Sequence, residues 1–265
     1  MNTKEYEKEL YRRELSPNTI TKYLKDTNDF LKYAADQEVT QELLIEYKKE
    51  LLSKFKINTV NTKITIINNF LKFQGKNISV KQERTQRSNV LDDVLSEKDF
   101  ERLIRMADTK GNRRARVTML SLYHTGVRVS ELKYLTTEAL QRGYMDINNK
   151  GKHRRVPINK KLTKELRSYI KDEGITEGYI IKNARGKSLS RSYIYKEMKY
   201  LGGQARVKLS KVYPHSIRHL FAKRYLKHNN NNALALADIL GHSSVDTTRV
   251  YSTLSTKEQS ETMDF

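Results

Sequence analysis

The chain has 265 residues, with 51 Lys and Arg against 31 Asp and Glu, a formal charge of +20. Self-repulsion of that size works against a compact globule unless a polyanion offsets it, so phosphate is the expected partner chemistry. The absence of cysteine excludes disulfides, thiolate nucleophiles and Cys-ligated zinc. No stretch approaches the ~20 apolar residues of a membrane span, and residues 1–15 lack the apolar core of a signal peptide, which places the protein in the cytoplasm and off the membrane.

The first third reads as a small helical bundle. A short segment over 6–13 comes first, and then Ser16-Pro17 reads as an N-cap with proline at the first helical position, ahead of Ile20, Tyr23, Leu24, Phe30 and Leu31 at helical spacing. Further helices are predicted over 41–54 and 58–73, the last closed by Gly75. From there the apolar density drops, so a helical domain over 1–80 is expected to pass through a basic linker, 81–94, into a second domain, 95–265.

That second domain opens with Ser96-Glu97-Lys98-Asp99, a capping-box pattern. A helix over 114–123 stops at Gly126, and another is expected over 129–135, which leaves Arg128 in the turn between them. Residues 144–147 and 155–158 read as a hairpin around a polar turn with Lys150 and Lys152 at its tip, and 179–181 as a third short strand. Helices are predicted over 160–171, 192–201 and 216–227, followed by a polar loop over 228–232. The fold class is therefore mainly α with a small β-sheet.

The C-terminal part carries an ordered set: His215 and Arg218, then His242, then Tyr251. A phenol of pKa ~10 is a poor nucleophile at neutral pH, so Tyr251 needs a proton acceptor, which His215 supplies, and surroundings that favour negative charge. Arg128 and Arg218 are suited to binding the non-bridging oxygens of a phosphodiester under attack, as bidentate forks. The departing 5′ oxygen needs a proton, and Lys150 on the hairpin is the general acid, with Lys152 the alternative on the same turn. Lys152, Arg154 and Arg155 are expected to bind DNA phosphates. The covalent link conserves the energy of the broken bond, so no cofactor is expected. His215 and His219 stand four apart, but without a glutamate of the zinc-protease kind no metal is expected either.

Three stretches carry a resemblance. Thr125-Gly126-Val127-Arg128-Val129-Ser130-Glu131-Leu132, Pro214-His215-Ser216-Ile217-Arg218-His219-Leu220-Phe221-Ala222, and Leu240-Gly241-His242 with Thr247-Thr248-Arg249-Val250-Tyr251 resemble the signature boxes of the tyrosine recombinases, the phage integrase and Xer family. One match is weak, but several in order are specific. Residues 15–19 and the helices after them resemble the family's SAM-like core-DNA-binding domain, with no room ahead for the arm-site-binding domain that some integrases carry.

The resemblance implies a C-shaped clamp on double-stranded DNA carrying specific recombination sites, and a homo-tetramer on two sites. It implies the roles given above, with His242 bonding a phosphate oxygen and Glu131 orienting Arg128. The product would be a 3′-phosphotyrosine and a free 5′-hydroxyl that attacks in turn. It also implies that the tail 252–265, through Met263 and Phe265, packs on a neighbouring protomer. Integration or excision of a mobile element, cointegrate resolution and Xer-type dimer resolution all remain open, as does the use of accessory proteins. The rival readings are a type IB topoisomerase-like relaxing enzyme and a DNA-binding relative without catalysis.

Overall fold

The computed structural model describes residues 3–35, 37–84, 94–149 and 152–241. The chain divides into two compact units, Met1–Ser88 and Asn89–Phe265, a boundary inside the expected linker.

The first unit holds α1 (Thr3–Arg12), α2 (Pro17–Ala34), α3 (Gln41–Lys54) and α4 (Ile57–Phe73). Ser16 caps α2 by accepting from the Thr19 amide, with Pro17 at the helix start as expected. Tyr6, Phe30, Tyr47 and Phe70 are buried at the centre, with Tyr6 edge-on to Phe70 at 5.0 Å between ring centroids. Lys63 lies among the apolar residues of α4, and its ammonium reaches Asp26 of α2 at 2.6 Å.

The first four residues assigned to the linker are not free of this unit. After α4 the chain turns back as an extended strap along it. Asn68 of α4 accepts from the Val80 amide at 3.2 Å and donates to the Val80 carbonyl at 2.9 Å. One stretch further, Asn61 makes the same pair with Glu83, at 2.8 and 2.9 Å. Lys48 of α3 adds an ion pair to Glu83 at 2.6 Å. These side chains satisfy backbone groups that no ladder or helix serves.

The second unit is built on α6 (Arg113–Thr125), packed against α5 (Glu97–Thr109), α8 (Lys160–Asp172), α9 (Arg191–Gln204) and α10 (Pro214–His228). The Ser96 capping box is formed as predicted. The hairpin is longer than expected: β1 (Tyr144–Asn149) pairs antiparallel with β2 (Lys152–Pro157), and its register puts Asn149 opposite Lys152. Met145, Ile147 and Val156 alternate into the core, which extends the pairing. Lys152 thus begins a strand. Residues 179–181 form no third strand, only a single bridge from Tyr179 to Thr136. Two short helices were not anticipated, α7 (Thr137–Arg142) and α11 (Ala233–Leu240). The expected helix over 129–135 is a 3-10 helix, Val129–Tyr134. No helix among the described residues is long and apolar enough to cross a membrane.

Candidate active site

Arg128 and Arg218 line the same pocket from two separate elements. α6 ends at Gly126, whose φ of 64° lets the chain turn back, and Arg128 follows as the N-cap of the 3-10 helix. Its amide donates to Glu131 Oε2 at 2.8 Å and its Nη1 to Glu131 Oε1 at 3.1 Å, so one carboxylate fixes both the backbone and the side chain. Arg218 stands on α10, one turn after His215. It is only 1% exposed, and its two Nη atoms donate to the carbonyls of Gly126 and Leu240, each at 2.7 Å.

These residues open on one pocket of about 320 Å³, lined by Arg128, Ser130, Arg191, Tyr195, His215 and Arg218 among others. Burial pushes the His215 pKa below its usual value, and the guanidiniums of Arg218, Arg128 and Arg191 push it the same way. At neutral pH its imidazole is accordingly uncharged and able to accept a proton. Burial works to raise the Glu131 carboxyl, but hydrogen bonds from Arg154 and Arg128 outweigh it and hold the group down at about 2. Glu131 is ionised throughout the physiological range.

The structure thus brings Arg128, His215 and Arg218 together with Glu131 beneath them. Lys150, His242 and Tyr251, and the tail with Met263 and Phe265, lie outside the described residues, as does the Lys152 side chain. Arg155 is exposed, held loosely by Asp146 at 3.2 Å and lying over the Tyr144 ring. Arg154, expected as a phosphate contact, is turned inward. Its side chain is 12% exposed and bonded to Glu131 at 2.7 Å and to the Ile239 carbonyl at 2.9 Å. Strand alternation is the reason: Arg154 and Arg155 point to opposite faces, and only one faces solvent. Arg191 on the pocket wall was not singled out, since nothing in the local sequence distinguishes it from other basic residues of a helix.

A family model described as the phage integrase family matches residues 93–258, and one for the phage integrase N-terminal SAM-like domain matches 3–76. The chain belongs to the tyrosine recombinases of the phage integrase family.

Tyrosine recombinase XerA of Pyrococcus furiosus is 28% identical over 94% of this chain and 88% of its own length. Tyrosine recombinase XerD of Staphylococcus epidermidis is 31% identical over 91% of this chain and 89% of its own. Among solved structures, a lambda integrase tetramer bound to a Holliday junction aligns with a TM-score of 0.77 at 17% identity, covering 94% of this chain and 75% of that one. This last likeness is one of fold. Arg128, His215 and Arg218, each within a stretch that resembles the family's signature boxes, line one pocket.

Proposed function

We propose that this recombinase cuts and rejoins specific DNA sites through a phosphotyrosine at Tyr251. The observation that carries the reading is the convergence of Arg128, His215 and Arg218 on one pocket, two fixed cations beside an uncharged imidazole. The phenolate of Tyr251 attacks the phosphorus, and the bond to the 5′ oxygen breaks. Arg128 and Arg218 take the charge that builds on the non-bridging oxygens. His215 accepts the phenol proton, Lys150 protonates the departing 5′ oxygen, and His242 bonds a non-bridging oxygen. Arg155 and Lys152 bind flanking phosphates, and Arg191 on the pocket wall supplies a further cation. The reverse attack by a 5′-hydroxyl from a second duplex exchanges strands.

Strand exchange between two sites requires a protomer on each half-site, hence a tetramer, and the tetrameric lambda integrase shares this fold. Relatives named Xer recombinases match along nine-tenths of the chain, which favours resolution of multimeric DNA over the insertion of an element. The test is to incubate the protein with a random-sequence duplex pool, trap covalent adducts and sequence them. The expected result is one enriched site, with the adduct abolished and binding retained in Tyr251→Phe. Binding without any adduct from the wild-type protein would overturn the reading. A two-site plasmid that is relaxed but yields no recombinant would replace it with a topoisomerase.

A further inference from the structure

The end of α11 is held by arginines. The carbonyls of Ile239 and Leu240, its last residues, and of Gly241, its C-cap, have no intrahelical partner among the described residues. Arg154 Nε donates to Ile239, Arg218 Nη2 to Leu240 at 2.7 Å, and Arg128 Nη2 to Gly241 at 3.4 Å. These carbonyls carry the negative end of the helix dipole, so three guanidiniums from three different elements find partial countercharge at one point. Only Arg154 among them is absent from the pocket lining.

The Arg154 guanidinium also forks onto Glu131, Nη2 to Oε2 at 2.7 Å and Nη1 to Oε1 at 3.3 Å. Glu131 is 1% exposed and is the carboxylate that holds Arg128. A single side chain from β2 therefore touches the anchor of Arg128 and the helix end that precedes Gly241 and His242 in sequence. Gly241 fits this arrangement: a Cβ there would stand 2.7 Å from Arg154 Nη1. No neutral side chain serves both acceptors, because removing the guanidinium would leave Glu131 buried with less countercharge and the Ile239 carbonyl with an unmade bond.

We propose that Arg154 is a positioning residue of strand cleavage, not a DNA contact: it locks β2, Glu131 and the end of α11 into one frame that sets Arg128 for the phosphate. This rests on the strand-transfer reading above. The consequence is a split between binding and chemistry. A phosphate contact contributes to affinity and to its salt dependence, whereas a positioning residue contributes to the rate of the bound complex.

The test uses the full chain and a nicked duplex carrying the site recovered by adduct trapping, with Arg154→Met and Arg154→Lys. Affinity across a salt series and the single-turnover rate of adduct formation at saturating protein are measured at a temperature where each variant is folded. For Arg154→Met the rate is expected to fall on the order of 100-fold, the scale of a misplacement near 1 Å, with affinity and salt slope unchanged. Arg154→Lys, which keeps a cation beside Glu131 but cannot bridge to Ile239 as well, should recover part of that rate. If Arg154→Met does not fold, Arg154→Lys carries the same readouts. A salt slope reduced by about 1 with the saturated rate intact would make Arg154 a phosphate ligand and overturn the proposal. So would a lowered melting temperature with no change in rate. Absence of adduct from the wild-type protein, by contrast, sinks the strand-transfer reading itself.

Discussion

Arg218 donates Nη1 to the carbonyl of Gly126, 92 residues earlier in the chain, at 2.7 Å. The acceptor belongs to a glycine with φ of 64°, and a Cβ on it would lie 2.3 Å from the Phe221 ring. The turn that presents Arg128 is thus the same turn that seats Arg218, and it tolerates no side chain. Gly126→Ala should cost about 1–2 kcal/mol for the left-handed backbone and about 1–3 kcal/mol more for displacing a packed ring. The expected result is a lowered melting temperature together with a larger loss of adduct formation than of DNA binding. Unchanged stability would show that the turn relaxes freely.

The Lys63–Asp26 pair offers a second test, in the helical unit alone. Both side chains are nearly buried, 11% and 7% exposed, and Asp29 lies 3.6 Å from the same ammonium. Lys63→Met leaves Asp26 buried without its partner and should destabilise by about 3–5 kcal/mol in denaturant unfolding. Lys63→Met combined with Asp26→Leu should recover most of that loss. A double variant no better than the single one would refute pairing as the reason for the burial.

His124 supplies a pH dependence. Burial, with help from Arg224 and Lys161, lowers its pKa from 6.5 to about 4, and its Nδ1 lies 3.1 Å from Asn159 Nδ2. Because the folded value is the depressed one, the stabilisation is complete above pH 6.5 and is lost as the pH falls through that value toward 4. His124→Gln should therefore flatten the decline in denaturation midpoint across this window. An equally steep decline in the variant would exclude His124 as its source.

The strap over 78–83 makes a further prediction. With Asn61 and Asn68 each gripping a residue by both backbone groups, Lys81 is held against α4. Asn61→Ala with Asn68→Ala should release it, and trypsin should cut after Lys81 faster than in the wild type, by mass spectrometry of early digests. Equal cleavage rates would show that Val80 packing and the Lys48 bonds to Glu83 and Lys81 hold the strap without the two asparagines.

Much of this architecture was readable from local signals. Ser16-Pro17, the Ser96 box and Gly126 mark helix ends because their physics is local: a hydroxyl accepting an amide, a fixed φ, a missing Cβ. α11 escaped notice because Ala233–Leu240 is short and apolar on nearly every side, so it has no polar face to announce a period. Lys63 and Arg154 were opaque for another reason. A cation in sequence looks the same whether water or a carboxylate far along the chain receives it.

The sequence by itself determined the family, since an arginine, a histidine and a tyrosine stand in ordered boxes, and it determined the two-part helical plan. Only the tertiary structure decided which arginines open on the pocket. Arg128 and Arg218 line the pocket, Arg155 faces solvent and Arg154 turns inward. The difference lies in distant partners: the Glu131 carboxylate and the Ile239 carbonyl near the end of α11 come within reach of Arg154 only once β2, the 3-10 helix and α11 are packed together.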